Sequence, residues 1–298
     1  MIRHLRHRQI DKAAWDAVVR QSRMEVPYAL SWWLDILSPG WEGIVAEERW
    51  VFPLPVKRKM GVKIMLQPPF IQQLGIFSME KMPPAAVAAV VAALPRSILY
   101  GDIQLNELTP TRGWPGQVTL RRNILLHLDG KASQRYHTNT RRNLKKFLAT
   151  GAEIREEADG EREMVRLFAR EARQKTPHLR REHYERLLRL YQQMRERGML
   201  RLFVARRKEE LMGMAAFIDW RGRWIFHFSA ATAAGRQSHV LTGILDHFIR
   251  SEEGCGKVLD FEGAEAEGLA RFYLGFGGRE VWYPHWTFSR VPLLPRRS

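Results

Sequence analysis

The spacing of apolar residues changes period along the chain, and the changes predict its elements. A short strand from Ile2 gives way to a helix starting near Asp11, on which Trp15, Val18 and Val19 recur at helical spacing. A second helix carries Trp32, Trp33, Ile36 and Leu37 and stops at Pro39-Gly40. Strand patterns follow at 43–47, 50–56 and 62–66, with Lys59-Met60-Gly61 as a turn. Pro68 and Pro69 open a loop over 70–78. An Ala/Val-rich helix over 84–94 has Pro84 in its first turn, where the missing N–H does no harm. Strands at 98–105 and 117–128 complete the first half.

The stretch 129–133 reads as a linker, and the helix after it, over 141–148, is the most basic segment of the chain. Beyond Gly151 the order repeats. A strand at 152–156 precedes helices at 161–173 and 181–197, the second closing on Gly198. A meander over 200–206, 211–220 and 223–229 follows. The helix over 239–253 sets Val240, Leu241, Ile244, Leu245, Phe248 and Ile249 on one stripe. A strand at 258–263, a short helix at 269–276 and a strand at 280–288 end the half. The pattern predicts two domains, 1–128 and 129–298, related in element order and not in residues.

Composition narrows the class. With 298 residues, 45% apolar and ten Trp, the chain can fill ordinary cores. One cysteine, Cys255, excludes a disulfide framework and any multi-thiolate metal site, and fits a reducing compartment such as the cytoplasm. Residues 1–8 carry three Arg and two His with no apolar stretch after them, unlike a secretory signal. No apolar run is long enough for a membrane span. A formal charge of +16 favours polyanionic partners and names no chemistry.

Three strings carry a resemblance. Leu259-Asp260-Phe261-Glu262-Gly263, followed by Ala270-Arg271-Phe272-Tyr273-Leu274-Gly275-Phe276-Gly277-Gly278, resembles the closing segment of Fem-type tandem GNAT proteins. Thr138-Asn139-Thr140-Arg141-Arg142-Asn143-Leu144-Lys145-Lys146 and Gln67-Pro68-Pro69-Phe70-Ile71-Gln72-Gln73-Leu74-Gly75 resemble the same group. The resemblance implies an α/β (α+β) chain of two tandem GNAT-like domains, each a mixed, largely antiparallel sheet flanked by helices. The first, 1–128, would be degenerate. The second, 129–298, opens with the basic helix.

It also implies roles. GNAT folds bind a donor pyrophosphate at a helix entry, next to two parallel strands that splay. Here these strands are 223–229, ending at Ser229, and 258–263, and the entry holds Gly235, Arg236 and Gln237. Gln237, Ser238 and His239 stand where the family has small residues, and the plainer reading is an ordinary helix entry with a solvated Arg236. Glu262 would take the proton of an attacking amine, with Asp260 deeper on the same strand face; either carboxylate can equally serve a basic partner. Tyr273 stands where the pattern places a proton donor for a leaving thiolate, a position some Fem-type relatives give to lysine. A phenol there suits thioester chemistry. Its plainer reading is a core tyrosine.

Arg141 and Lys145, like Arg142 and Lys146, lie one turn apart and form a positive face, solvated or steering an anionic substrate. No aromatics interleave with it, which argues against DNA or other sequence-read nucleic acid. Gln72, Gln73 and Asn106 are candidate acceptor-lining groups in the first half, or else satisfy loop backbone. No Walker loop, nucleophile elbow or H-E-x-x-H helix is present, and no metal is expected.

The leading expectation is therefore transfer of an acyl group from acyl-CoA to a small amine acceptor. Beside it stand aminoacyl transfer from charged tRNA to a peptidoglycan precursor, and a non-catalytic basic binding module on a decayed GNAT fold.

Overall fold

The computed structural model describes residues 2–46, 49–83, 85–172 and 176–291. The predicted element ends at Glu47, Pro84 and Arg173 lie outside them. The elements before the basic helix are β1 (Ile2–Leu5), α1 (Lys12–Gln21), α2 (Ser31–Leu37), β2 (Glu42–Ala46), β3 (Trp50–Leu54), β4 (Val56–Lys59), β5 (Val62–Leu66), β6 (Phe77–Ser78), α3 (Ala85–Ala93), β7 (Ile98–Gln104) and β8 (Gln117–His127). After β8 come α4 (Thr138–Leu148), β9 (Glu153–Glu156), α5 (Glu161–Ala172), α6 (Arg181–Glu196), β10 (Leu200–Arg207), β11 (Glu210–Trp220) and β12 (Arg223–Ala231). The chain then forms α7 (Ala233–Gln237), α8 (Val240–Ser251), β13 (Val258–Asp260), α9 (Glu267–Leu274) and β14 (Arg279–Ser289). The mixed α/β class follows directly.

Two compact units divide the described residues: one runs to Arg121 and resumes at Trp282, the other is Arg122–Val281. The division thus falls inside β8 and β14, where the sequence pattern placed it between residues 128 and 129. The last strand groups with the first unit because it pairs antiparallel with β7, from His285 opposite Gln104 to Ser289 opposite Tyr100. That strand register is invisible to local periodicity.

In the first unit β1, β2, β3 and β6 form one antiparallel sheet, and β5 runs parallel to β7 with α3 as the crossover. Asp11 caps α1 by accepting the N–H groups of Ala13 and Ala14, at 3.0 and 3.1 Å, which fixes the helix start. Phe52, Leu54, Met65, Ile103 and Trp286 close its core.

In the second unit the meander β9 to β12 is antiparallel, β13 joins β12 in parallel, and β8 pairs β13 antiparallel. The α8 stripe is buried, with Val240, Ile244, Leu245, Phe248 and Ile249 at 0% exposure. Phe248 stacks on Phe217 of β11 with centroids 3.7 Å apart. Gly243 lets α4 approach: a Cβ there would stand 2.2 Å from the Phe147 ring.

Candidate functional site

The second unit's sheet splits at one point. β12 pairs β13 over Arg223, Trp224 and Ile225 against Val258, Leu259 and Asp260, and there the pairing stops while β12 continues to Ala231. The strand predicted over 258–263 is therefore three residues long. Asp260 ends it. Its Oδ1 accepts the Glu262 N–H at 2.9 Å and the Asn123 amide at 2.8 Å, and its Oδ2 accepts Arg223 Nη1 at 2.6 Å. Asn123 Oδ1 in turn accepts the Gly263 N–H at 2.9 Å. These bonds hold Glu262 and Gly263 in the left-handed region, at φ +52° and +78°. For a glutamate this conformation is strained by about 1–3 kcal/mol, and such strain clusters where a side chain must be aimed.

β12 bulges beside the split. Phe226 lies opposite Phe217 and Phe228 opposite Ala216, which makes His227 the extra residue of the bulge. The extra residue reverses the alternation. Phe226 packs toward Phe261 and Tyr273, Phe228 packs on Phe168 of α5, and the next residues to face the Tyr273 side are Ser229 and Ala231. His227 points the other way, with Nδ1 3.1 Å from the Tyr191 hydroxyl of α6. Both residues are buried.

On the Tyr273 side lies a cavity of about 270 Å³. Ser229, Ala231 and Gly235 line it with Arg236, His239, Thr242, Phe272 and Tyr273. Burial first and the Glu262 charge second push the Tyr273 phenol far above its ordinary range, so it keeps its proton at any physiological pH. The same two causes raise Tyr191. Glu262 thus acts on one phenol from α6 and another from α9. A larger cavity, about 470 Å³, lies in the first unit among Trp15, Val18, Val45 and Val51. Its acid, Asp11, is committed to the α1 cap.

The entry to α8 departs from the expected open loop. Residues 233–237 form a short helix, and Thr232 caps it by accepting the Gly235 N–H at 3.1 Å. Gly235 is where α7 meets β11, since a Cβ there would lie 2.0 Å from the Met212 carbonyl oxygen. Arg236 donates to Glu171 at 2.7 Å and to the Ala231 carbonyl at 2.6 Å. That guanidinium, with Arg170, holds Glu171 below the usual carboxylate range. Gln237 is exposed and outside the cavity lining. The amides helix geometry leaves without intrahelical acceptors are those starting α8, at Val240 and Leu241. There the His239 imidazole is held below its ordinary pKa by burial and then by Lys146 and Arg142.

The remaining candidates separate. Asp260 is fully buried and committed to Arg223, Asn123 and the Glu262 N–H. Arg141 is exposed and donates to the Gln134 carbonyl at 2.7 Å. In the first unit, buried Asn106 donates to the Ile76 carbonyl and accepts from the Leu108 N–H. Gln73 accepts the Glu107 N–H and donates to Gln72. Asn106 and Gln73 thus bind loop backbone, and Gln72 accepts from Gln73. Tyr191 and His227 escaped the sequence reading. The one available signal was a histidine inside an otherwise apolar strand, Trp224-Ile225-Phe226-His227-Phe228.

Residues 133–280, which carry the split, the bulge and the cavity, match the family model described as Acetyltransferase (GNAT) domain. The chain carries a GNAT acyltransferase domain. Over nearly its full length this GNAT protein has the fold of FemX, with a TM-score of 0.63 at 11% identity, covering 92% of this chain and 96% of FemX. L-PGS from Bacillus licheniformis gives 0.58 at 10% identity, covering 96% and 94%. The C-terminal domain of a protein described as a lysylphosphatidylglycerol synthetase, from Agrobacterium fabrum, gives 0.52 at 10%, covering 94% and 92%. At such identities the likeness is one of fold. Among curated protein sequences none matches the chain. Among the described residues no helix is long and apolar enough to cross a membrane.

Proposed function

We propose that this GNAT protein transfers an acyl group from a thioester to a primary amine at the split between β12 and β13. One observation carries the reading. The buried phenol of Tyr273, stacked on the residue before Glu262, also lines the adjoining cavity. The donor's thioester lies in that cavity, and the amine attacks its carbonyl directly. Beyond Ile225 β12 has no β13 partner, and the acyl carbonyl is placed beside that edge. Glu262 receives the ammonium proton as the C–N bond forms. Tyr273 gives its proton to the sulfur as the C–S bond breaks, and a phenol held neutral is suited to that task.

The donor's phosphates fit the first turn of α8 with Arg142 and Lys146, in place of Gly235 and Arg236, whose groups are committed within the fold, and of Gln237, which lies outside the cavity lining. Asp260 serves as the brace of the Glu262 turn. A second donor is favoured by the reach of the α4 cations. Arg141, Arg142, Lys145 and Lys146 are all exposed, more positive surface than one coenzyme requires, and suit the phosphates of an aminoacyl-tRNA.

Thermal-shift titration with acetyl-CoA and free CoA, at low salt and at about 0.2 M, tests the first donor. A shift that survives salt, with thiol release on adding amines, supports it. No shift, together with ribonuclease-sensitive transfer from charged tRNA, replaces it with the second. Neither signal with any donor overturns the reading.

A further inference from the structure

A second cavity adjoins the one at Tyr273. It holds about 410 Å³ between α4 and α9, and His137, Asn139, Thr140, Asn143, Arg271 and Phe272 line it. Asn143 and Phe272 also line the Tyr273 cavity, so the two spaces meet along these side chains. Every polar side chain in this wall can donate a hydrogen bond, and among the described residues no carboxylate lines it.

The donors are largely unspent. Thr140 is 5% exposed, and a threonine inside a helix commonly gives its hydroxyl to the carbonyl one turn back. Among the described residues this hydroxyl makes no hydrogen bond. It stands instead at Gly275 of the cavity wall, where a Cβ would come within 2.4 Å of Thr140 Oγ1. A buried hydroxyl without a partner is destabilising, and a ligand in the cavity would satisfy it. Asn143, at the junction of the two cavities, makes no hydrogen bond among the described residues either. Asn139 turns its oxygen to Arg142 Nη2 at 2.6 Å, because a guanidinium only donates, and its amide N–H groups are left over. Arg271 donates to the Glu267 carbonyl at 3.4 Å and forms no ion pair among the described residues. Behind these groups α4 starts at His137 without a side-chain cap for its first-turn amides.

We propose that this second cavity binds an anionic oxygen group, a carboxylate or a phosphate, of a substrate that reaches into the Tyr273 cavity. Thr140, Asn143 and Arg271 donate to it, and the first turn of α4 adds the positive end of a helix dipole. A wall of donors with no carboxylate among them suits an anion. The buried Thr140 hydroxyl distinguishes this site from the exposed cations farther along α4. Two substrates could carry the group: the donor, as the 3′-phosphate of CoA, or the amine acceptor. That assignment rests on the acyl-transfer reading; the binding of the anion does not.

The test uses the full chain and inorganic phosphate, titrated by thermal shift at constant ionic strength. The wild-type midpoint should rise and saturate, and Thr140→Val and Arg271→Gln should each weaken phosphate binding about tenfold or more. Thr140→Val keeps the shape and removes the hydroxyl, so without phosphate it should melt no earlier than the wild type. Unchanged phosphate affinity in either variant, or no saturable shift in the wild type, overturns the proposal. An earlier melt of Thr140→Val does so too, because the fold would then be using the hydroxyl. The second arm finds the source. Acetyl-CoA is compared with acetyl-dephospho-CoA, and amines bearing a carboxylate or phosphate with their neutral amide or alcohol counterparts. A preference of about tenfold in kcat/KM for acetyl-CoA, lost in Thr140→Val, assigns the anion to the donor. The same preference among the amines assigns it to the acceptor. Neither preference in a protein that transfers overturns the proposal. Phosphate bound as expected in a protein that transfers to no amine strikes the acyl-transfer reading and leaves the anion site standing.

Discussion

The Phe261 ring lies on the Tyr273 ring, centroids 4.6 Å apart and 16° from parallel, so the residue before Glu262 is packed on the phenol from α9. The stack ties the proton acceptor to the proton donor through two rings. Tyr273→Phe keeps the stack and removes only the hydroxyl. It should lower kcat for thiol release about a hundredfold with little change in KM or melting temperature. An unchanged kcat would remove Tyr273 from the chemistry. Phe261→Ala, by contrast, should cost about 3–5 kcal/mol in a denaturant melt, as expected for a buried aromatic.

Glu262 separates function from stability. Its left-handed backbone is a conformation glycine adopts without strain, so Glu262→Gly should leave the melting temperature equal to or above that of the wild type. Acyl transfer should fall to background in the same protein. A variant that melts much earlier would show that the carboxylate holds the fold, and the catalytic assignment would lose its main physical argument.

Asp260 should behave in the opposite way. It is the buried partner of Arg223, and neutralising one member of such a pair leaves the other charge stranded. Asp260→Asn should cost about 3–5 kcal/mol in chemical denaturation. Because the Glu262 turn hangs on the same carboxylate, whatever folded protein remains should transfer poorly. Destabilisation below about 1 kcal/mol would mean the pair is solvated in the folded state.

The contrast between these two carboxylates shows what the sequence made legible. Strand alternation over 258–263 placed both on one face, whereas the structure ends that strand at Asp260 and turns the backbone at Glu262. The sequence could not show that Asp260 turns back on Arg223 and Asn123, because those partners lie far away in the chain. Tyr191 and His227 were hidden for a related reason. A bulge shifts the strand's parity by one residue, and nothing in Ile225-Phe226-His227-Phe228 announces it. Helix stripes, caps and the meander were readable because they depend on neighbours a few residues apart. The grouping of β14 with the first unit depends on pairing with β7, which spans most of the chain.

A pH dependence follows from the first unit. His285 Nε2 lies 2.7 Å from Asp102 Oδ1, and that hydrogen bond, more than any other influence, holds the carboxyl below its ordinary 3.8. The folded state therefore binds this proton less readily than the unfolded chain. Its contribution to stability is complete above about pH 4 and is lost as pH falls toward the lowered folded value. Urea melts at pH 6 and pH 3 should show a smaller drop for His285→Phe than for the wild type. Equal drops would mean the bond to His285 is not what depresses Asp102.

Gly235 distinguishes packing from donor binding at the α8 entry. A methyl group there would meet the Met212 carbonyl oxygen at 2.0 Å, a backbone atom with no flexible side chain to give way. Gly235→Ala should therefore destabilise the fold by about 1–3 kcal/mol, while the folded fraction still binds acetyl-CoA with wild-type affinity, because the Gly235 amide is already held by Thr232. The Arg142→Glu, Lys146→Glu double variant should show the reverse. Both side chains are exposed, so stability should change by less than about 0.5 kcal/mol. Donor affinity should fall, and the difference from wild type should shrink as salt is raised. If Gly235→Ala instead abolishes binding in a protein of unchanged stability, the donor's phosphates sit on α7, and the assignment to α8 is wrong.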